Sequence, residues 1–172
     1  MARRLDNLND LFEHELKDIY DAENRLKDAL RVQASESTAP EIKAAFSAHQ
    51  KETEGQIRRL ERVFEAFGKE PNRGRGCAGI QGLLEEHKEF KGEDPSREIL
   101  DVFNLGAAQK VERYEITAYS GLIDLAIHLG LDDAVELLEA NLAEEEAALE
   151  KVIELAETVE VYSKVSPPAR GA

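Results

Sequence analysis

Two pairs of side chains in this sequence have residue types and a spacing suited to binding metal ions: His49 with Glu52, and Glu112 with Glu115. The members of each pair are three positions apart. On a helix, this spacing points both side chains the same way, so that both can reach one centre. Carboxylate oxygens combined with imidazole suit iron, manganese or zinc. The pairs therefore indicate metal chemistry if they lie on helices and face the protein interior.

Helical periodicity dominates the chain. Apolar residues recur at three- and four-residue steps over four long segments, at about residues 5–32, 41–67, 95–129 and 132–157. A shorter helix is expected at about residues 80–90, and strand signals are absent from the sequence. Both pairs of candidate ligands therefore fall inside long predicted helices.

Capping residues predict where the helices begin. Ser37 or Thr38 is expected to cap the second long helix, with Pro40 in its first turn. Asp94 is expected to cap the third long helix and Asp132 the fourth, because aspartate side chains accept hydrogen bonds from the free N–H groups of a first turn.

The connections between the helices predict their arrangement. Short turns join the first two long helices and the last two, which makes each pair antiparallel neighbours. The middle connection, of about 27 residues, is long enough to cross the bundle. We therefore predict an all-α, ferritin-like four-helix bundle with one long crossover connection that contains a short extra helix. Residues 1–160 are predicted to form this bundle, and residues 161–172 a flexible C-terminal tail.

Each long helix carries a carboxylate on or near its apolar side when the residues are placed at about 100° per position. The residues concerned are Glu15 and Glu23 on the first helix, His49 with Glu52 at the edge of the stripe on the second, Glu112 and Glu115 on the third, and Glu145 on the fourth. Burying several unpaired carboxylates is prohibitively costly, and few basic residues share these faces. Carboxylates with histidine inside a four-helix bundle form the donor set of di-iron and di-manganese proteins.

A structural interpretation stands beside the metal site. A glutamate at the boundary of a helix in an acidic protein is usually solvated, and a single inward histidine such as His49 is more often a hydrogen-bonded core residue than a ligand. Under this interpretation the inward glutamates are protonated, hydrated or paired, and the bundle holds no functional metal site.

Composition restricts the partners. The chain has 22 Lys and Arg residues against 36 Asp and Glu, a net charge of −14, which argues against nucleic acid or an anionic membrane as the main partner. A single cysteine excludes an internal disulfide. No apolar run approaches the ~20 residues that cross a bilayer, and the first residues lack the apolar core of a signal peptide. We therefore expect a cytoplasmic protein.

The sequence resembles the YciE/YciF family of bacterial ferritin-like proteins over about residues 5–160. The resemblance runs, in family order, through LFEHELKDIYDAENRL (11–26), APEIKAAFSAHQKETEGQIRRLERVFEAFG (39–68), CAGIQGLLEE (77–86), AAQKVERYEITAYSGLIDLA (107–126) and LLEANLAEEEAALEKVIELAE (137–157). It implies a ferritin-like bundle with a di-iron centre, often dimeric and associated with bacterial stress responses. It does not supply a reaction, because the activity of the family is not settled.

Carried onto this sequence, the family's metal positions are Glu23, His49, Glu52, Glu112, Glu115 and one of Glu144 and Glu145, of which the helical wheel favours Glu145. The second helix reads His-x-x-Glu where the common ferritin-like motif is Glu-x-x-His, and the fourth helix has no histidine. The site would therefore be rich in oxygen ligands with a single histidine, as in a ferroxidase-type centre.

Two functions follow as expectations. The first is a homodimeric, stress-related protein with two iron ions, or manganese or zinc, that oxidises Fe(II) with O2 or peroxide; Glu52 and either Glu115 or Glu145 would bridge the metals. The alternative is a non-enzymatic helical bundle that acts in binding or assembly. Whether the protein is an enzyme stays open at this point.

Three further residues carry smaller expectations. Cys77 is interpreted as a structural or incidental loop residue, and Tyr119, one turn after Glu115, as a hydrogen-bond partner of a ligand carboxylate. His87 is expected at the surface, since it lies off the apolar stripes.

Overall fold

The structure, a computed structural model, describes residues 4–158. These residues contain five helices. They are α1 (Leu8–Glu36), α2 (Pro40–Ala66), α3 (Ala78–Gly92), α4 (Arg97–Leu129) and α5 (Asp132–Thr158). Over these residues the structure has no β-strand, so the all-α prediction is confirmed. The predicted tail at residues 161–172 lies outside the described residues, as does the predicted bundle boundary at residue 160.

Local capping rules predicted two helix starts wrongly. Ser96, and not Asp94, caps α4: its hydroxyl accepts the backbone N–H of Ile99 at 3.4 Å. Asp94 instead lies in the preceding turn with a φ of 55°. At the start of α5, the backbone carbonyl of Leu131 accepts the N–H of Val135 at 3.0 Å, and Asp132 is already the first helical residue.

The start of α2 is capped from another helix. Its N-cap residue is Ala39, which has no side-chain acceptor, and neither Ser37 nor Thr38 supplies one. Instead, the carboxylate of Asp101 on α4 accepts the backbone N–H groups of Thr38 and Ala39, each at 3.1 Å. A carboxylate suits this place because free N–H groups and the helix dipole both favour negative charge there.

The four long helices form a ring in the order α1, α2, α5, α4, in which each helix packs against two neighbours. Residues 67–96, with α3, cross from the end of α2 to the start of α4 along α1 and α4. The contact of Asp101 with Thr38 shows that α4 begins at the same end of the bundle as the α1–α2 turn. Therefore α2 and α4 run in the same direction, and the predicted single long crossover is confirmed.

One buried carboxylate anchors this crossover to α1. Asp21 is 1% exposed, and its oxygens accept hydrogen bonds from Arg25 Nε at 2.5 Å, Arg73 Nε at 2.6 Å and the backbone N–H of Cys77 at 2.7 Å. Burial alone would raise the pKa of Asp21, but these three donors together hold it below its usual value. Gly76, at a φ of 85°, lets the chain pass beside this carboxylate.

Two apolar clusters fill the bundle, one towards each end. Phe12, Leu60, Phe64, Leu122 and Leu138 belong to the cluster near the start of α1. Leu30, Phe46, Leu105 and Val152 belong to the cluster near the α1–α2 turn. On α2, α4 and α5, a layer of polar side chains lies between residues of these two clusters: His49 and Gln56, Glu112 and Glu115, and Asn141 and Glu145. No helix of residues 4–158 has the length and apolar character needed to span a membrane.

Candidate metal centre

The polar layer between the two apolar clusters receives side chains from all four long helices. Glu23 comes from α1, His49 from α2, Glu112 and Glu115 from α4, and Glu145 from α5. The four glutamates are at most 1% exposed, and the side chain of His49 is 11% exposed. The layer therefore concentrates four carboxylates and one imidazole where water has little access.

These five side chains form two overlapping groups of three. His49, Glu112 and Glu145 form one group, and Glu23, Glu115 and Glu145 form the other. Within each group, one donor atom of each residue lies within 4.8 Å of the donor atoms of the others. In the first group, His49 Nε2 is 3.4 Å from Glu112 Oε1 and 3.6 Å from Glu145 Oε2. Glu145 belongs to both groups, so its carboxylate could ligate an ion in either of them.

Two other candidate glutamates lie outside both groups. Glu52 has a half-exposed side chain, and its Oε2 lies 3.3 Å from Nδ1 of His49, on the outer side of the imidazole. Glu15 is 45% exposed and contacts His14. The expectation that Glu15 faces the core is wrong, because Phe12, Leu16 and Ile19 occupy the inward positions at that level of α1.

Burial distinguishes the two candidate glutamates on α5. Glu145 is fully buried, whereas the side chain of Glu144 is 34% exposed and pairs with Arg59 on α2. The structure thus brings Glu145, the residue that the helical wheel favoured, into the centre of the bundle. Glu144 lies at the bundle surface.

Three carboxylate oxygens in this layer lack hydrogen-bond partners: Glu112 Oε2, Glu115 Oε1 and Glu145 Oε2. A buried polar atom without a partner costs about 1–3 kcal/mol, and more if it is charged. Three such atoms on three facing residues leave acceptors that a cation would satisfy. Hard oxygen donors with one imidazole fit a divalent ion such as iron, manganese or zinc.

Burial and mutual repulsion change the acidities of these carboxyls. Burial raises the pKa of Glu23 to about 7, against the opposing effect of the Tyr119 hydroxyl, which donates to it. The pKa of Glu115 lies well above its usual value because of burial, followed by the charges of Glu23 and Glu145. Burial and the charge of Glu23 likewise raise the pKa of Glu145. The cluster therefore holds protons that a metal ion would displace.

His49 has the opposite balance of effects. Burial alone would lower its pKa, but the charge of Glu112, the contacts with Glu112 and Glu52, and the charge of Glu145 raise it well above the usual value. A bound metal ion would have to displace the imidazole proton, because only the neutral ring ligates.

A layer of hydrogen bonds orients the central carboxylates. Gln56 Nε2 donates to Glu145 Oε1 at 2.5 Å, and the Tyr119 hydroxyl donates to Glu23 Oε1. Asn141 Nδ2 in turn donates to the Tyr119 oxygen at 2.9 Å, while Arg59 donates to Asn141 Oδ1. Tyr119 thus contacts a candidate ligand as expected, although its partner is Glu23 on the neighbouring helix α1 and not Glu115 on its own helix.

Sequence reasoning missed Gln56, Asn141 and Arg59. Gln56 and Asn141 are both fully buried, and each follows the helical repeat of a candidate ligand: Gln56 lies seven positions after His49, and Asn141 four positions before Glu145. Amide side chains in register with inward carboxylates are a signal that could have identified these two residues.

Outside the layer, the structure corrects the expectation for His87 and adds detail to that for Cys77. His87 is not a free surface residue: its side chain is 13% exposed and its Nε2 lies 2.7 Å from Glu36 Oε1. Cys77 is fully buried at the N-cap of α3, where its sulfur accepts the N–H of Ile80. Burial raises the pKa of its thiol, which suits the structural role expected for it.

Comparisons with known proteins agree with this architecture. A family described as "Domain of unknown function (DUF892)" matches residues 7–163. The chain is 38% identical to Protein YciF of Escherichia coli (strain K12) over 149 residues, which cover 87% of this chain and 90% of that protein.

Solved structures give the same result. The crystal structure of YciF, an E. coli stress protein, matches with a TM-score of 0.85 and 36% identity, covering 93% of this chain and 99% of that one. YcfI from Rhodopseudomonas palustris matches with a TM-score of 0.85 and 38% identity, covering 89% and 97%. A protein from Xanthomonas campestris, at 21% identity and a TM-score of 0.71, shares the fold. The chain therefore belongs to the DUF892 family and is a relative of YciF.

Proposed function

We propose that this protein binds two divalent metal ions in the polar layer of its bundle, and that iron is the metal. The observation that carries the proposal is the set of three buried, unpartnered carboxylate oxygens on Glu112, Glu115 and Glu145. They lie within two overlapping groups of donors, each with the size of a single metal site. A cation in each group would satisfy these oxygens and neutralise the buried charge.

The ligands divide between two positions. His49, Glu112 and Glu145 would hold one ion, and Glu23, Glu115 and Glu145 the other, with Glu145 as the bridge. Glu52, expected from the sequence to bridge, would instead act on His49 through its contact with Nδ1. Iron in these positions would supply redox chemistry towards O2 or peroxide, with Fe(II) oxidation as the reaction. The relative YciF is described as a stress protein, which supports a stress-related role for this chain.

The surrounding residues would support this role in three ways. Tyr119 and Gln56 fix one oxygen of Glu23 and one of Glu145, which leaves the second oxygen of each free to face an ion. Asn141 and Arg59 hold Tyr119 in place through a continuous chain of hydrogen bonds. The burial of the four glutamates excludes bulk water from the site.

The proposal is tested by titrating the metal-free protein with Fe(II) under anaerobic conditions and counting bound metal. We expect two ions per chain for the native sequence and one for Glu115→Gln. Glu145→Gln should weaken both positions at least tenfold, because its carboxylate is shared. Glu146→Gln is the matched control, since Glu146 is the exposed next residue, and it should keep two ions. Equal binding by the Glu145 and Glu146 variants would contradict the proposal. Oxidation by O2 or peroxide is then followed on the loaded protein.

The alternative is a metal-free bundle that acts in binding or assembly. The raised pKa of Glu23, about 7, favours it, because protonated carboxyls can remain buried at lower cost. Thermal unfolding separates the two functions. An ion that binds only the folded state stabilises it and so raises the melting temperature. When the free ion concentration is one hundred times the dissociation constant, the free energy of unfolding increases by about 2.7 kcal/mol. An identical melting curve with zinc and with chelator would favour the metal-free bundle.

A further inference from the structure

A groove on the outer side of the bundle reaches the candidate metal centre. It lies between α2 and α5, has a volume of about 530 Å³, and is lined largely by alanines, among them Ala44, Ala48 and Ala148, and by Phe46 and Val152. The small alanine side chains leave the space between the two helices open. His49 and Glu112, two of the candidate ligands, are also part of the lining.

The two donor groups of the candidate metal centre differ in how much space a molecule would have to reach them. The group formed with His49 and Glu112 borders the 530 Å³ groove. Glu115 does not border this groove; it borders a second cavity, shared with His49 and Glu112, that measures only about 20 Å³ and is otherwise lined mainly by apolar residues such as Leu26, Leu30 and Ala108. A space of that size holds about one water molecule. A molecule larger than water would therefore approach the centre from the His49 side.

The chemistry of the lining indicates what the groove accepts. Its walls are mostly apolar, which disfavours a hydrated ion and favours an apolar molecule. Its carboxylates, Glu41, Glu52 and Glu112, oppose an anion. Both cationic side chains of the lining already have acidic partners: Lys151 pairs with Glu154 at 3.4 Å, and the imidazole of His49 lies between Glu52 and Glu112. Glu112 Oε2 is buried and lacks a hydrogen-bond donor. A neutral molecule with an apolar body and a hydroxyl group meets all three conditions.

We propose that this groove binds one small, neutral, apolar organic molecule that carries a hydroxyl group, and presents it to the His49–Glu112 side of the carboxylate cluster. A molecule of this class would be the substrate of the centre, so its role rests on the proposed function. Its binding does not, because the apolar walls and the Glu112 oxygen are present without a metal. The substrate would then be organic, and not Fe(II) alone.

The test uses 1-naphthol as the probe and the metal-free, full-length chain. Its fluorescence is measured against a low protein background, since the chain contains no tryptophan. We expect saturable binding of one naphthol per chain. Ala148→Phe on α5 and Ala48→Phe on α2, which fill the groove from opposite walls, should each weaken binding at least tenfold. Ala143→Phe, at an exposed α5 position outside the lining, is the control and should bind as the native chain does.

Histidine NMR locates the bound probe. With ¹³C-labelled histidine, we expect naphthol to shift the signal of His49 and to leave those of His14, His87 and His128 unchanged. Naphthalene-1-sulfonate, which has the same rings and an anionic head, should bind at least tenfold more weakly. Any one of four results would overturn the proposal. These are the absence of saturable naphthol binding, equal naphthol binding by the groove-filling and control variants, no shift of the His49 signal, and binding of the sulfonate as tight as that of naphthol.

Naphthol binding, metal binding and dimer formation can each succeed or fail independently. If Ala148→Phe keeps two metal ions but the native chain fails to bind naphthol, the groove proposal is wrong and the metal centre stands. If naphthol binds at His49 and metal does not bind, the metal proposal fails while the binding site remains. A chain that binds no naphthol but forms a dimer that Ala148→Phe dissociates would show that a second copy fills the groove, which also overturns the inference.

Discussion

At the scale of single residues, the titratable groups of the central layer have raised pKa values, so they hold protons more tightly than usual. Burial holds protons on Glu23, Glu115 and Glu145, while the neighbouring carboxylates hold a proton on His49. Every one of these protons must leave before the group can bind a cation. Metal affinity should therefore increase with pH, as for other sites whose ligands bind protons.

The stability of the metal-free protein should show the same protons. A carboxyl whose pKa is raised in the folded state stabilises the fold fully below its unfolded value of 4.5, and this contribution is lost as pH rises through the folded value. For Glu23, with a folded pKa of about 7, the loss is on the order of 3 kcal/mol. We therefore expect urea unfolding with chelator to give a smaller free energy at pH 7.5 than at pH 5.

The control for this prediction is Glu23→Gln, which removes the titrating group and retains most of its shape. The fall in the free energy of unfolding between pH 5 and pH 7.5 should be smaller in this variant than in the native chain. The same pH dependence in both proteins would show that Glu23 is not responsible. Zinc should reverse the trend in the native chain, since metal binding strengthens as the ligands lose protons.

At the scale of elements, residues distant in sequence fix the ends and connections of the helices. Asp101 on α4 caps α2 from 63 positions away, and Asp21 on α1 holds the crossover through Arg73 and the N–H of Cys77. These contacts keep α3 against α1 and α4, so they set the register in which α4 brings Glu112 and Glu115 to the centre. The crossover is thus a structural part of the candidate site.

Asp21→Asn should loosen this crossover. At pH 7 we expect a loss of about 2 kcal/mol, below the usual cost of breaking a buried ion pair because Arg25 and Arg73 are partly exposed. The folded pKa of Asp21 is lowered, so its contribution is present above its unfolded value of 3.8 and is lost as pH falls through the folded one. Urea unfolding measures the loss, and hydrogen exchange of residues 69–77 locates it.

The matched control is Asp28→Asn on the same helix. Asp28 pairs with Arg31 at 4.0 Å, and both side chains are at least 70% exposed. Such a pair contributes about 0–1 kcal/mol. Losses of similar size in the two variants, or no change in exchange at residues 69–77 in Asp21→Asn, would refute the role assigned to Asp21.

At the scale of the whole molecule, two apolar clusters enclose the carboxylate layer from both ends of the bundle. This arrangement allows the layer to hold charged groups, because packing above and below it supplies the stability that their burial removes. Some large apolar side chains lie outside these clusters and are exposed to solvent. Leu8 and Leu11 at the start of α1 and Ile127 at the end of α4 are 45%, 38% and 55% exposed. Since α1 and α4 are antiparallel, all three lie at one end of the bundle.

We expect this end to form the interface of a homodimer, because the neighbouring helices α1 and α4 both expose large apolar side chains there, and exposed apolar surface favours association. Sedimentation equilibrium should show a dimer for the native chain. Leu11→Glu and Ile127→Glu should each shift it towards monomer. Val32→Glu and Ile99→Glu are the controls: both positions are exposed apolar residues, at the opposite end of the bundle. A monomeric native chain, or dissociation by the control variants alone, would exclude this interface.

The sequence by itself determined the helical class, the four long helices, the single crossover and the inward side chains of Glu23, His49, Glu112, Glu115 and Glu145. These features depend on periodicity, and the helical repeat converts position in the chain directly into a direction around the helix axis. For the same reason the wheel distinguished Glu145 from Glu144.

Only the tertiary structure decided how those side chains meet. The shared position of Glu145, the outward place of Glu52, the bond from Gln56 across 89 positions to Glu145, and the capping of α2 by Asp101 all join different helices. Such contacts depend on the rotation and register of one helix against another, which are set by packing over the whole bundle. The repeat of a single helix gives the direction of a side chain, and the assembled bundle determines what that side chain contacts.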